Sequence, residues 1–409
     1  MTNCRFCNTP LTVTFTDLGT SPLSNAYVAK ESISSEKYYP LHAYVCTNCL
    51  LVQVASFEDP DVIFSSDYAY YSSYSSSWLK HSEDYAKMIV KKFSLDNKSF
   101  VVEVASNDGY LLQFFQAQHI PHLGIEPTKN TADAALKKGI PTLREFFGKE
   151  LANKLQTTDK SADLIVANNV LAHVPDLNDF IAGMKILLKA SGIITIEFPH
   201  LLNLIQHNQF DTIYHEHFSY FSLATAQKIF AHHNLTIFDV DQIPTHGGSL
   251  RIYVRHTDDI CKKVTTNIDA ILAEEEKAGL TKLETYQQFQ LKVEQLRAEF
   301  LSFLSDIQKK KGTIAGYGAP AKGNTFLNYC QITPSMLPFT VDKNPAKQNK
   351  YLPGTHIPIF HPGEIKKQKP NYVLILPWNL QEEITKELAY IKSWGGRFIV
   401  TSPKPKILS

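Results

Sequence analysis

The sequence has no apolar run approaching the roughly 20 residues that a membrane-spanning helix needs. Its opening, Met1-Thr2-Asn3-Cys4-Arg5-Phe6-Cys7, lacks the apolar stretch of a secretory leader. Both absences point to a cytoplasmic protein with no membrane partner. Neither sign of charge is in excess: Lys plus Arg is 41, Asp plus Glu is 40, and the net charge is +1. A general nucleic-acid binder needs a large basic surplus, so that class is excluded, whereas a small anion held by a few local groups is not. At 44% apolar residues, disorder is not expected. No internal repeat and no Walker-type phosphate loop is present. Cysteines are few, six in 409 residues, and no disulfide framework is expected in this compartment.

What is present divides into three regions, 1–62, 63–265 and 266–409. The first is rich in Thr, Ser, Pro and short β-branched runs, and reads as short strands and turns around two cysteine pairs. The second opens on a stretch dense in tyrosine and serine, residues 67–75. An amphipathic helix over residues 78–93 follows. Strand candidates then alternate with helical patterns, at 99–105, 122–125, 164–168, 192–198 and 235–240. Alternating βα units predict a parallel sheet covered on both faces. The third region begins with a helical stretch over residues 267–310, with apolar residues at helical spacing at Ile268, Ile271 and Leu272 and then every three or four residues from Leu280 to Phe300. Gly279 is a candidate break within it, and Gly312, after three lysines, its stop. Strand candidates at 313–317, 339–341, 372–376 and 397–400 predict a second, smaller Rossmann-like domain. The fold class expected is therefore α/β, with a small metal-binding lobe ahead of two nucleotide-type domains.

Cys4-x2-Cys7 and Cys46-x2-Cys49 have the spacing of a tetrahedral zinc site, because each short turn aims two sulfurs at one ion. Four thiolates leave no open position, so this zinc is expected to be structural. Redox activity is the alternative, but a thioredoxin-type pair sits in a βαβ context that is absent here. The 38 residues between the pairs are expected to fold as their own lobe.

The segment Glu103-Val104-Ala105-Ser106-Asn107-Asp108-Gly109-Tyr110-Leu111 is a strand, a tight turn and a helix start. It resembles the first motif of class I S-adenosylmethionine (SAM) methyltransferases, whose three glycine positions here hold Ala105, Asn107 and Gly109. Asn tolerates a left-handed backbone, so the turn remains feasible. Glu126, ending the second strand, is placed to accept hydrogen bonds from ribose hydroxyls. Asn168 and Asn169 end the fourth-strand motif, where the cofactor's amino-acid end and the substrate meet, and His173 follows on the substrate side. NAD would want real glycines where pyrophosphate nears the backbone. SAM carries no phosphate, so the missing glycines favour SAM over NAD or a cofactor-free fold.

Tyr214-His215-Glu216-His217 is the most unusual stretch. A His-x-His pair on a strand shares a face and can bind metal, but no third ligand is evident. A histidine-rich loop packed under the sheet is the plain alternative. The preferred reading is acid–base chemistry: His217 as general base, Glu216 orienting or charge-balancing it, and tyrosines donating to an oxyanion. Thr245-His246-Gly247-Gly248-Ser249 is either a tight hairpin loop or a loop that lets His246 and Ser249 approach a ligand. Gly318-Ala319-Pro320-Ala321-Lys322-Gly323-Asn324 follows a strand and opens a helix, where amides and Lys322 favour a diphosphate. Asp342 holds the acidic position of the next strand.

With these motifs in place the whole chain resembles the zinc-containing, SAM-dependent nucleotide-sugar C-methyltransferases. That resemblance implies a monomer of three domains, with the sugar nucleotide between the last two. It implies a 4-keto-6-deoxy sugar on dTDP or GDP, methylated next to the ketone through an enolate, with C3 favoured over C5. It implies His217 as the base, with Tyr214, Glu216 and a further tyrosine, Tyr70 or Tyr71, assisting. An NAD-dependent epimerase or dehydratase, and a non-enzymatic zinc-binding adaptor, are the rival readings.

Overall fold

The computed structural model describes residues 2–55 and 71–408. Three sheets organise them. The first is antiparallel, in the order β1 (Val13–Ser21), β2 (Tyr39–Val45), β3 (Val52–Val54), β9 (Ser219–Tyr220). The gap between the cysteine pairs supplies the β1–β2 hairpin of this lobe. The fourth strand comes from the second region, with Val52 opposite Tyr220 and Gln53 opposite Ser219.

The second sheet has seven strands. β4 (Val101–Val104), β5 (His122–Ile125), β6 (Thr142–Leu143), β7 (Ala162–Asn168) and β8 (Leu188–Pro199) are parallel. The reversed strand β11 (Ser249–His256) lies between β8 and β10 (Leu235–Ile243). The central strands are continuous apolar runs because both faces are covered. β4, Val-Val-Glu-Val, is buried at every position, so Glu103 is a carboxyl inside a core strand.

The third sheet runs β14 (Ile359–Phe360), β13 (Thr340–Val341), β12 (Ile314–Tyr317), β15 (Tyr372–Ile375), β16 (Arg397–Val400) in parallel, with β17 (Lys406–Leu408) reversed at the edge. The stretch between the second and third sheets is three helices, Thr266–Lys277, Leu283–Gln287 and Phe289–Lys309. Gly279, at φ +82°, supplies the first break. At the far end the left-handed residue is Lys311, at φ 54°, and not the expected Gly312. The Gly312 amide instead reaches back to the Ile307 carbonyl at 3.0 Å. The helix Ser76–Phe93 starts where Ser75 accepts the Trp78 amide, a side-chain cap just ahead of the expected boundary.

Candidate active site

The four cysteine sulfurs lie within 4.8 Å of one another, with Cys4–Cys49 at 3.6 Å and Cys7–Cys46 at 3.5 Å. None forms a disulfide. Four thiolates around zinc, at about 2.3 Å each, stand about 3.8 Å apart along the tetrahedron edges, so the donor set fits that ion. The Gln53 Nε2 donates to Cys4 Sγ at 3.2 Å.

The loop after β4 passes through three left-handed residues: Ala105 (φ 55°), Asn107 (φ 49°) and Gly109 (φ 76°). These are the three glycine positions of the motif, and the backbone keeps the turn although two glycines are gone. A left-handed Ala costs about 1–2 kcal/mol, so surrounding bonds must hold it. Glu126 does part of this: its Oε2 accepts the Asn107 amide and its Oε1 the Thr128 amide, both at 2.9 Å. The Asn107 side chain accepts the Ser72 amide at 2.9 Å and so fastens the end of the tyrosine-rich stretch to this loop. Ser106 Oγ, Asn168 Oδ1 and both polar side-chain atoms of Asn169 are buried with no hydrogen-bond partner among the described residues. Burial pushes the Glu103 carboxyl well above its usual range, and the Asp108 and Glu126 carboxylates add to the rise. Buried polar groups without partners are rare. This group of acceptors and amides, around a turn with little side chain, fits the ribose and amino-acid ends of SAM. Tyr110 and Leu111 are buried on the core side, so Leu111 can meet a ligand only through its main chain.

The histidine motif forms a turn, not a strand: the His217 amide donates to the Tyr214 carbonyl at 2.9 Å. His215 therefore points away from His217, with its Nε2 on the Pro40 carbonyl at 3.1 Å. The two do not share a metal, and among the described residues only the four cysteines form a metal-binding group. The His217 Nδ1 lies 2.8 Å from the Thr212 carbonyl and its Nε2 2.7 Å from the Tyr214 hydroxyl. The orienting group is thus the Thr212 main chain, and the Glu216 carboxylate accepts instead from Asn25 Nδ2 at 2.6 Å. Burial raises Glu216 to about 7. Burial, helped by His173, Lys322 and His246, pushes the His217 imidazole well below its ordinary value. The His173 ring stands edge-on to it, 4.7 Å between centroids. Tyr71 stacks on Tyr74 at 5.4 Å, while Tyr70 lies outside the described residues.

The third domain meets this site through Lys322 and Trp378. Lys322 Nζ donates to Asn379 at 2.8 Å and lies 4.6 Å above the Trp378 ring. Burial lowers the Lys322 pKa, and Asp211 opposes that shift. Trp378 Nε1 donates to Asp211 at 2.6 Å, and burial raises that carboxyl to about 6. Gly247 lies flat against Trp378, since a Cβ there would stand 2.5 Å from the ring. His246 is edge-on to Trp78 at 5.2 Å. The Ser249 hydroxyl closes its own turn on the Thr245 carbonyl at 2.9 Å. Ser249 also lines a separate cavity of about 740 Å³ with His200, Asn203 and Glu274. The Ala319 amide is held by Asp342 Oδ2 at 2.7 Å, so a carboxylate already sits where a phosphate was expected. The Asn324 amide group donates to the Ser24 carbonyl at 2.6 Å and ties the domain to the first region.

Sequence reading missed Asn25, Thr212, Asp211 and Trp378. It also missed Glu197, which is fully buried and accepts from His81 (2.9 Å) and Arg251 (2.6 Å). A glutamate inside the apolar run Ile193–Phe198 was the available signal.

Residues 4–64 match a zinc-binding domain model, residues 78–240 a methyltransferase domain and residues 244–403 a C-methyltransferase C-terminal domain. The C-methyltransferase NovU of Streptomyces niveus is 33% identical over 407 residues, spanning 99% of this chain and 96% of its own. Among solved structures, the SAM-bound magnesium protoporphyrin IX methyltransferase of Synechocystis PCC 6803 aligns with 43% of this chain and 78% of its own, at 14% identity and TM-score 0.33. The PH0226 protein of Pyrococcus horikoshii OT3 aligns with 49% of this chain and 100% of its own, at 14% identity and TM-score 0.38. No helix among the described residues is long and apolar enough to cross a membrane.

Proposed function

Because this chain belongs to the family of SAM-dependent C-methyltransferases that carry a zinc-binding domain, we propose that it methylates C3 of a 4-keto-6-deoxy sugar linked to dTDP or GDP. The reaction makes a branched deoxysugar and passes through an enolate. Family membership sets aside the NAD-dependent epimerase or dehydratase and the adaptor.

The observation that carries this reading is the setting of His217. The Thr212 carbonyl can only accept, so Nδ1 bears the proton and Nε2 keeps its lone pair. Burial first, with the Lys322 charge adding to it, holds the ring neutral at pH 7, the form a base requires. A carbon beside a ketone is acidic because its carbanion is an enolate. In the free site Nε2 accepts from the Tyr214 hydroxyl; with the sugar bound, that hydroxyl turns to donate to the developing oxyanion and Nε2 takes the carbon-bound proton. His173 and His246 line the sugar, and Lys322 meets the diphosphate. The Ala319 amide takes no part, since Asp342 holds it. Glu103, Glu126, Asn168 and Asn169 hold SAM, which when bound supplies an electrophilic methyl group to the carbanion. Both C3 and C5 flank the C4 ketone, so C5 is the alternative at the same site. The protein acts as a monomer of three domains, 1–62, 63–265 and 266–409, in the cytoplasm.

The test is mass spectrometry of reactions in D2O with SAM and a panel of dTDP- and GDP-linked 4-keto-6-deoxy sugars. One added methyl on one carrier is expected, with deuterium uptake beside the ketone when SAM is left out. SAM binding with neither methyl gain nor exchange on any sugar would overturn the reading.

A further inference from the structure

The zinc cluster and the His217 turn are joined by one short strand. Gln53 is fully buried and faces both ways along it. Its side chain belongs to the metal site: Nε2 donates to Cys4 Sγ at 3.2 Å, and Oε1 accepts the Arg5 amide at 2.9 Å. Its main chain belongs to β3, which pairs with β9 at Gln53–Ser219 and Val52–Tyr220. β9 begins two residues after His217.

The same lobe grips the motif at successive residues. The Val54 amide donates to the Phe218 carbonyl at 3.0 Å. Arg5, inside the first cysteine pair, donates to the Val54 carbonyl at 2.7 Å and lies 5.0 Å above the Phe218 ring. Asn25 holds the Glu216 carboxylate, and the Pro40 carbonyl accepts from His215. The second region holds the motif as well, through the Thr212 carbonyl on His217 Nδ1 at 2.8 Å and the Ala172 carbonyl, which accepts the Phe218 amide at 2.7 Å. A four-residue turn leading into a two-residue strand has little stability of its own.

We infer that Gln53 is a positioning residue through which the zinc cluster fixes the turn carrying His217. The zinc then has a role beyond holding its own lobe together: it sets where the base stands. The inference rests on the reading of His217 as base for its catalytic consequence, but the coupling can be measured without any substrate.

Hydrogen–deuterium exchange of the full-length holoenzyme, read by mass spectrometry, compares four samples: wild type, zinc-stripped wild type, Gln53→Leu and Thr9→Val. Thr9 Oγ1 also touches a cluster sulfur, Cys7 at 3.3 Å, but lies off the path to β9. In zinc-stripped protein and in Gln53→Leu, amides of residues 216–220 should exchange about tenfold faster, the effect of losing roughly one hydrogen bond. Strand β5, residues 122–125, should keep its protection and SAM affinity should stay within about twofold. Thr9→Val should match wild type. Unchanged protection of 216–220 in either the stripped protein or Gln53→Leu overturns the inference. So does equal loosening in Thr9→Val, or loss of protection in β5 together with the turn. A coupled turn in a protein that neither methylates nor deuterates any sugar would instead sink the proposed function and leave this inference standing.

Discussion

The two Rossmann-like sheets use the same device and put it to different ends. In each, an acidic residue after the second strand holds an amide of the loop after the first. Glu126 holds Asn107 and Thr128; Asp342 holds Ala319 at 2.7 Å and Asn344 at 2.8 Å. Around the first loop, Ser106, Asn168 and Asn169 keep buried polar atoms with no partner among the described residues. Around the second, most polar groups of the loop are paired within the protein. The Ala319 carbonyl accepts from Tyr27 at 2.5 Å and from Lys347 at 2.8 Å, and the Gly318 carbonyl accepts from Thr340 at 2.7 Å. The first loop thus keeps several buried polar atoms open, whereas the second keeps few, Asn324 Oδ1 among them, and Lys322 and Trp378 reach from that domain toward His217 and Asp211.

The hardest blow to this contrast would come from the base. His217→Asn is expected to cut turnover by about 10²–10⁴-fold with the SAM dissociation constant unchanged. Steady-state kinetics and calorimetry read the two separately, and turnover that survives would mean the proton is taken elsewhere, from the second sheet or its loops. Next in size is the pair of carboxylates. Glu126→Gln should weaken SAM binding about 10- to 100-fold, because a buried amide loses its acceptor and the ribose loses a charged one. Asp342→Asn should leave SAM binding alone and lower only the melting temperature. Equal effects on SAM would erase the distinction.

Much of this layout was legible in the sequence, for identifiable reasons. Strands buried on both faces announce themselves as apolar runs, as in Val101–Val104 and Ala162–Asn168, and paired cysteines have few other uses. Less legible were the contacts that main chain makes at long range. Nothing local marks Thr212 as the partner of His217, since only its carbonyl acts. Nothing local marks Ser219–Tyr220 as a strand of the zinc lobe, because two residues carry no periodicity. The strand, turn and helix around Gly318–Asn324 are legible locally, but Asp342 filling the Ala319 amide depends on the fold bringing 342 back to 319.

A third test sharpens the comparison through pH. Glu216 lies near 7 in the folded protein against an ordinary 4.5. The folded chain thus favours its protonated form, and the stability this contributes is complete below about 4.5 and lost as pH rises through 7. Glu216→Gln should therefore gain on wild type by about 1–3 kcal/mol between pH 5 and pH 8, measured by urea melts at each pH. A constant gap would place the carboxylate in water. Smallest is the turn itself. Ala105→Gly should relieve left-handed strain and stabilise by about 0.5 kcal/mol after the added chain entropy. In the second loop, Gly318→Ala should cost about 2 kcal/mol, since φ is +87° and a Cβ would stand 2.6 Å from the Pro377 ring. The same melts decide both.

The pairing of Val52 with Tyr220 also bears on how the chain is made. Synthesis runs from the amino end, so the cysteines emerge early and can gather metal at once. The outer edge of β3 stays open until residue 220 has left the ribosome. Until then the half-built sheet offers unpaired amides and carbonyls to any extended segment nearby. A fragment ending near residue 62 would stay in that exposed condition, so self-association, not a tidy miniature fold, is the expected fate of the lobe cut away from the rest.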